Sequence, residues 1–402
     1  MGRSAAVLLR LWKRQPVHDS FSGRAFSSNA FAERRAKESK GCITVQIQVP
    51  FSLHNLAEGP PVESRTGKKE LLAMYMDMLT IRRMEISADM LFKSQQVRGF
   101  CHLYDGQEAV AIGLKEAISK EDAVITAYRD HGIFLAKGGT PFEVFSELTG
   151  RVTGCAAGKG GSMHLYKREN NFFGGWGIVG TTSPLGAGLA LALKYCKKNN
   201  VAVAIHGDGA DNQGQVYEAK NMAALWDLPL ILLIENNHFG MGTAEWRASK
   251  KASYFDRVSY LPGIKADGMD VFAVKEALLF CKEHCLAGKG PIVIECDTYR
   301  YHGHSMSDPG STYRTWDEIK QIRQARDPIQ FVKQIILKEG AATEEELATI
   351  DKQVKKDVED ALSKAREAPE PKEEALFTDM YKHDKKFVVY GCDRKQATSR
   401  LA

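Results

Sequence analysis

VAVAIHGDGADNQ (201–213) and LILLIENNHFG (230–240) are the two stretches that decide the fold of this 402-residue chain. Each opens with five apolar residues, at 201–205 and 230–234, and runs directly into a polar turn. Short apolar runs bounded by turn formers are the pattern of strands buried on both faces, as parallel sheets require. Between them Val216, Ala219, Ala223 and Trp226 recur at helical spacing, and Pro229 ends that helix before the second strand. The unit is strand, helix, strand, with one polar cluster leaving the end of each strand.

Parallel sheets bind ligands in crevices at the carboxyl ends of their strands, so Asp208 and Asn237 are expected to converge on one point. A carboxylate and an amide oxygen make a hard, oxygen-rich site suited to magnesium, which takes few protein carboxylates and completes its shell with phosphates and water. Gly207 and Gly209 leave room for a phosphate to approach the backbone. The rival is a dinucleotide fold, since Gly207-x-Gly209 follows a strand and Glu235 closes the next strand where a ribose-binding acid would stand. Its third glycine is Gly214, however, which makes GxGxxxxG where that fingerprint wants GxGxxG.

Composition is that of an ordinary globular protein, 44% hydrophobic and 26% charged. The net charge of +5 is partly owed to the first residues, so nothing calls for a nucleic-acid partner. No apolar run approaches the ~20 residues that span a bilayer, and no membrane partner is expected. Residues 1–26 carry Arg3, Arg10, Lys13, Arg14 and Arg24 against the single acid Asp19, with serines and the apolar Val7, Leu8, Leu9, Leu11 and Trp12. This is the make-up of a mitochondrial transit peptide, with cleavage expected near Phe26 and a matrix location for the mature chain. The eight cysteines are scattered without a CxxC pair, which fits a reducing compartment. Cys281, His284 and Cys285 lack the second pair a zinc site needs and read as one face of a packed helix.

Residues 27–66 read as an N-terminal arm, 67–368 as the main domain and 369–402 as a tail lying against a partner. A first long helix is expected over 68–97, with Leu71, Leu72, Tyr75, Leu79, Ile86 and Met90 near one stripe and Gly99 as its stop. Alternating strand-like and helix-like pieces follow, including a third buried strand, PIVIE at 291–295. Thr343 with Glu346 forms a capping box for a helix whose stripe is Leu347, Ile350, Val354, Val358 and Leu362, ended by Pro369 and Pro371.

Beyond GDG and NN, the motifs GFCH (99–102), DGQE (105–108), AYR (127–129), GKGGSMH (158–164), GIVG (177–180) and YRYHGHS (299–305) resemble the alpha subunits of the thiamin diphosphate-dependent 2-oxo acid dehydrogenases. The resemblance implies an α/β thiamin diphosphate-binding fold, a mostly parallel sheet with helices on both faces. It implies thiamin diphosphate and Mg2+ as cofactors, with Asp208, Asn237 and the Phe239 carbonyl on the metal. It assigns His102, Tyr128, Arg129, Gly177, Val179, Asp208, Gly209, Ala210, Asn237 and His304 to the cofactor, and names His102 and His304 as catalytic. A guanidinium such as Arg129 also answers the charge that magnesium leaves on a diphosphate, and imidazoles donate to phosphate and pass protons near neutral pH.

The implied reaction is oxidative decarboxylation of a 2-oxo acid, pyruvate before branched-chain acids or acetoin, with acyl transfer to a lipoyl group on an acetyltransferase core. A cofactor-holding regulatory subunit without turnover is the alternative. No segment resembles the domain that supplies the glutamate beside the cofactor's pyrimidine. A beta subunit is therefore expected to supply it, in an α2β2 heterotetramer. The small residues of GAGLA (186–190) suit either a contact with that subunit or tight packing within the domain.

Residues 300–315 read as a polar loop over the cofactor. Ser305 matches the family's principal inhibitory phosphorylation site, a target for a regulatory kinase and phosphatase. The second site aligns with Thr312, beside Ser311, and the third falls on Ala244 and is lost. Trp176 and residues 167–169 depart from the family pattern, and Phe239 stands where tyrosine is common.

Overall fold

The computed structural model describes residues 42–379, 388–390 and 397–400. The expected transit peptide lies outside the described residues. Strands β1 (Cys42–Gln46), β2 (Ser52–His54) and β3 (Glu63–Gly67) precede the long helix α1 (Lys68–Lys93). Helix α2 (Glu108–Ala117), strand β4 (Ala123–Ala127), helices α3 (His131–Ala136) and α4 (Pro141–Leu148) and strand β5 (Phe172–Trp176) follow. Next come α5 (Thr182–Tyr195), β6 (Ala202–Gly207), α6 (Gly214–Leu225) and β7 (Leu230–Asn236). A small hairpin, β8 (Phe239–Gly240) and β9 (Thr243–Ala244), leads through the one-turn helix α7 (Glu245–Ala248) to β10 (Gly263–Asp267), α8 (Val271–Leu286) and β11 (Ile292–Asp297). Three helices, α9 (Trp316–Arg326), α10 (Pro328–Lys338) and α11 (Glu344–Glu367), complete the domain, and β12 (Val388–Tyr390) pairs antiparallel with β13 (Ala397–Arg400).

The central sheet has seven strands in the order β2-β10-β11-β7-β6-β4-β5. All pairs are parallel except β2 with β10 at the edge. Alternation along the strands explains why both faces are covered. In β6 and β7, Val203, Ile205, Ile231 and Leu233 enter one core, while Ala202, Ala204, Leu230, Leu232 and Ile234 enter the other. Helices α2 and α8 close the first face, and α5 closes the second against β6. Gly186 shows how closely α5 lies, because a Cβ there would come within 2.5 Å of the Ala204 Cβ. The small-residue run is thus used for packing within the domain at Gly186 and Ala187, while Gly188 faces outward with open space around it.

Chain order within the sheet decides where a ligand sits. From β4 the chain crosses outward to β5, whereas from the neighbouring β6 it crosses the other way to β7. The reversal between β4 and β6 is a topological switch point, with a crevice above the carboxyl ends of those strands. Tyr128 and Arg129 follow β4 directly and Asp208 follows β6.

Three helical readings need correction. Helix α1 stops at Lys93, short of Val97, where Ser94 turns back onto Met90 O and Gln95 takes a positive φ of 60°. Its buried face also runs differently: Met74, Met78, Ile81 and Ala88 are buried, while Ile86 and Met90 are 40% and 54% exposed. The hydrophobic pattern misplaced the stripe because the true face includes Arg82, which pairs with Glu108 and Asp327, and Glu85, which pairs with His131. Buried charges so paired are compatible with a core that hydropathy alone assigns to solvent. In α6, Val216, Ala219 and Ala223 are buried, but Trp226 is the C-cap and half exposed. The third strand extends past Glu295 to Asp297.

The C-terminal helix follows its sequence pattern closely. Thr343 N donates to Glu346 Oε2 at 2.8 Å and Glu346 N to Thr343 Oγ1 at 3.2 Å, closing the capping box of α11. Leu347, Val354, Val358 and Leu362 are buried, and the helix packs on α4 and α1. Cys281 and Cys285 are buried in α8, where the Cys285 thiol donates to Leu230 O. No cluster of His, Cys, Asp or Glu among the described residues has the make-up of a metal site. At the start of the tail, Val152 N donates to Pro369 O, and Lys159 pairs with Asp379.

Candidate functional site

Four parallel strands deliver their loops to one place. Asp208 follows β6, Asn237 follows β7, Tyr128 and Arg129 follow β4, and Arg300 lies three residues past β11. The loops after β6 and β7 touch backbone to backbone, since a Cβ on Gly209 would lie 3.0 Å from Gly240 Cα. A side chain at Gly209 would press on the Gly240 backbone, which would have to give by a few tenths of an ångström. At Gly207 a Cβ would meet only Glu235 O, at 4.0 Å, so packing makes no such demand.

Asp208 is 2% exposed and forms no ion pair among the described residues. Burial pushes its carboxyl up to about 6, against the pull of Arg300 and His238. Beside it the Asn237 Oδ1 accepts from Arg300 Nε at 3.0 Å, and Arg300 Nη2 reaches Phe239 O at 3.3 Å and Met241 O at 3.2 Å. The oxygens singled out as metal ligands thus face a cation already. A carboxylate, an amide oxygen and a carbonyl leave several positions of an octahedral shell to phosphate and water, the set that magnesium accepts.

Arg300 was not singled out from the sequence as a ligand, and it is the residue the structure adds. It is 1% exposed, and its Nη1 has no partner although it is buried. Burial and the nearby Arg129 lower its pKa to about 10. Arg129 is also buried and donates to Leu103 O at 2.6 Å and His304 O at 2.7 Å. A buried guanidinium donor with no acceptor is costly unless an anion fills the space.

His102, Tyr128 and His304 form one aromatic cluster. The His102 ring lies 4.5 Å from Tyr128 and 5.2 Å from His304, centroid to centroid. Burial, then the charge of Arg129, pushes His102 down to about 2 and His304 to about 3. His102 Nδ1 is buried without a partner. Both rings are therefore neutral near pH 7, each with one N–H to donate.

That depression has a measurable sign. A histidine with a lowered folded-state pKa binds its proton more readily when unfolded, so its contribution to stability is lost as pH falls below the ordinary value of 6.5. Glu235, raised to about 7 by burial, pulls the other way, so the effect is read as a difference between variants. On going from pH 7.5 to 5.5, the cofactor-free protein is expected to lose about 1 kcal/mol more than its His102→Gln variant. Urea midpoints at the two pH values measure this, and equal losses would refute it.

The glycine-rich GKGGSMH segment has the look of a phosphate cradle, but its amides are already engaged. The buried Glu147, at the end of α4, accepts from Ala156 N, Gly158 N, Gly160 N and Gly161 N at 2.6–3.3 Å. The segment instead supports the site from behind: Ser162 Oγ accepts from His102 N at 3.3 Å and bonds His131 Nε2, whose other nitrogen meets Glu85. Gly177 and Val179 lie at the open side, Val179 39% exposed and its carbonyl held by Gln215. Gly209 and Ala210 open the short turn beyond Asp208, with Ala210 buried.

Residues 300–315 fold over the site. Arg314 donates to Arg300 O and His302 O, both at 2.7 Å, and Asp308 accepts from His304 N at 2.7 Å. Ser305 is 7% exposed in this arrangement, whereas Ser311 and Thr312 are exposed. The departures from the family pattern are taken up locally. Lys167 pairs with Glu143 at 2.6 Å, Trp176 Nε1 donates to Phe173 O, and the Phe239 ring packs 5.3 Å from Tyr313.

The crevice at this switch point brings together a buried carboxylate without an ion pair, two buried guanidinium groups and neutral imidazoles, a set whose chemistry suits an anionic ligand. A family model described as "Dehydrogenase E1 component" matches residues 76–374, and the chain belongs to this thiamin diphosphate-dependent family. It is 56% identical over 380 residues to the Solanum tuberosum protein named pyruvate dehydrogenase E1 component subunit alpha, mitochondrial, covering 94% of this chain and 96% of that one. It is 52% identical over 398 residues to the Oryza sativa subsp. japonica protein named subunit alpha-1 of the same component, covering 99% and 100%. A Caenorhabditis elegans protein named as a probable alpha subunit is 54% identical over 332 residues, 83% of each chain.

Proposed function

We propose that this chain is the alpha subunit of a mitochondrial pyruvate dehydrogenase E1 component, holding the diphosphate and magnesium end of thiamin diphosphate. The observation that carries the site is Asp208, a buried carboxylate without an ion pair, set beside the Asn237 and Phe239 oxygens and an unpartnered Arg300 Nη1. When bound, the cofactor supplies the electron sink for decarboxylation of the 2-oxo acid.

The chain's own residues have separable tasks. Asp208, Asn237 and the Phe239 carbonyl would ligate Mg2+. Arg129, Arg300, Tyr128, His102 and the backbone at Gly209 and Ala210 would hold the diphosphate. Gly177 and Val179 would meet the aminopyrimidine. His102 and His304, kept neutral by burial and Arg129, offer a hydrogen bond to an anion without adding a second fixed charge.

The mouth of the site supports a second chain. Phe100, Ile178 and Met241 are 59%, 67% and 63% exposed around it, an apolar rim more suited to a protein partner than to water. Leu185, Leu191 and Tyr195 on α5 and Leu225 at the end of α6 are exposed as well. The names of the relatives, each an alpha subunit, favour a beta partner in an α2β2 assembly that supplies the glutamate and presents the site to a lipoyl-bearing acetyltransferase. Their mitochondrial names, with the basic leader at 1–26, favour the matrix.

The burial of Ser305 shapes the regulatory reading. A kinase reaches its hydroxyl only when residues 300–315 are released, and the added phosphate, up to about two negative charges beside an anionic site, would keep the loop from closing again. The test is co-expression with a beta subunit, followed by a panel of 2-oxo acids and acetoin with Mg2+ and thiamin diphosphate. Pyruvate is expected to turn over fastest. A preference for branched-chain acids moves the assignment within the family, and no turnover of any substrate leaves only a regulatory role. Ser305→Ala is expected to abolish inactivation by the kinase, and persistent inactivation would move the switch to Ser311 or Thr312.

A further inference from the structure

Gln107 occupies a place where its residue type is unexpected. It is the N-cap of α2, a position that favours the short Ser, Thr, Asp or Asn, yet its side chain makes no cap bond. The neighbouring Glu108 carboxylate instead takes Gly106 N, at 3.0 Å. Gln107 is fully buried and reaches across to the loop after β7, where its Oε1 accepts from Asn237 Nδ2 at 2.9 Å. Its own amide nitrogen is buried without a hydrogen-bond partner, and the Tyr104 hydroxyl donates to the Glu235 carboxyl near the end of β7.

An asparagine amide has one oxygen and one nitrogen of nearly equal size, and which of them faces a site is set by the hydrogen bonds around it. Here the acceptor on one side is Gln107 Oε1 and the donor on the other is Arg300 Nε. Arg300 uses one lone pair of Oδ1, and the other remains available. A half-turn of the amide would set Nδ2 against the Arg300 donor and point N–H groups where a cation belongs. The orientation of the Asn237 amide is therefore held from two sides, by Gln107 Oε1 at its nitrogen and by Arg300 Nε at its oxygen.

We propose that Gln107 is a positioning residue for the metal, selecting the orientation of the Asn237 amide that turns its oxygen to the cation. This rests on the reading of Asn237 as a magnesium ligand. Partners that orient a metal ligand typically contribute about 10- to 100-fold in metal affinity. Methionine is the matching probe, close to glutamine in length and volume but without the strong acceptor.

The experiment uses the full chain assembled with its beta subunit and measures thiamin diphosphate retention by equilibrium dialysis across a Mg2+ titration. Gln107→Met is expected to raise the Mg2+ concentration for half-saturation by about tenfold or more. In an Asn237→Asp background the two carboxylate oxygens are equivalent, so orientation ceases to matter. There the same substitution is expected to shift half-saturation by less than about threefold, a cycle that isolates the pair. Melting temperatures of all four proteins accompany the titrations.

A shift below about threefold in the native background, or an equal shift in both backgrounds, overturns the proposal, the second outcome marking a merely structural glutamine. Asn237→Asp protein that binds no Mg2+ also overturns it, by removing the premise that the oxygen at 237 faces the cation. Absence of Mg2+-dependent retention in the unsubstituted protein is a different failure, because it sinks the functional reading itself.

Discussion

Asp208→Ala is expected to abolish Mg2+-dependent retention of thiamin diphosphate while leaving the fold intact. The loss should exceed the upper end of about 100-fold that a partner behind a ligand costs, because the carboxylate would contact the metal itself. Stability should move the opposite way. Asp208 is 2% exposed without an ion pair, and burial has already pushed it up to about 6 despite Arg300 and His238, so the folded chain carries a net desolvation cost at neutral pH. Removing it is expected to raise the melting temperature of the cofactor-free protein, the exchange of stability for function seen at sites built to bind charge. Dialysis of labelled cofactor and a thermal melt, each with and without Mg2+, read the two effects. Retained cation dependence would remove Asp208 from the metal.

Gly106→Ala is expected to carry the largest cost in stability. Its φ is +97°, outside the region that L side chains favour, and a Cβ there would lie 2.2 Å from Tyr299 O and 3.2 Å from the Tyr301 ring. Left-handed backbone alone costs about 1–2 kcal/mol, and the carbonyl has to move because it is main chain. The turn also carries Asp105, whose Oδ2 meets His302 Nδ1 at 2.7 Å, and Gln107, so the displacement would reach the site from two directions. A loss above about 3 kcal/mol, or failure to accumulate as folded protein, is the expected result. Gly214→Ala is the control, since a Cβ there meets nothing within 4 Å. Denaturant midpoints of the two variants within about 1 kcal/mol of each other would contradict the geometric argument.

Asp208 and Asn237 mark how much of the candidate site was legible before the fold. Asp208 could be read because it follows an apolar run in a glycine turn, and strand ends are visible as a local pattern. Asn237 was legible for the same reason. Glu147 was not, for its four backbone donors come from a loop that looks, as a string of letters, like a phosphate cradle. Arg300 and Gln107 lie far in sequence from what they touch, Asn237 being 63 and 130 residues away. No periodicity reports such a pairing.

The same division holds in the framework. Capping at Thr343 and Glu346 involves residues three apart, and the helix begins where that pattern predicts. The buried face of α1 was misjudged because Arg82 is inside only by virtue of Glu108 and Asp327, the latter 245 residues on.

What the sequence determined by itself was therefore the local part: alternating buried strands and helices, the polar clusters at two strand ends, and the motifs that resemble a family. Tertiary structure alone decided which strands are neighbours, and hence that the crevice opens between β4 and β6. It also decided that the Asn237 and Phe239 oxygens meet Arg300, and the Asn237 amide nitrogen meets Gln107. The reason is physical: backbone conformation follows from short-range sterics and hydrophobic period, whereas a buried charge or amide is stable only beside partners that the packed sheet brings to it.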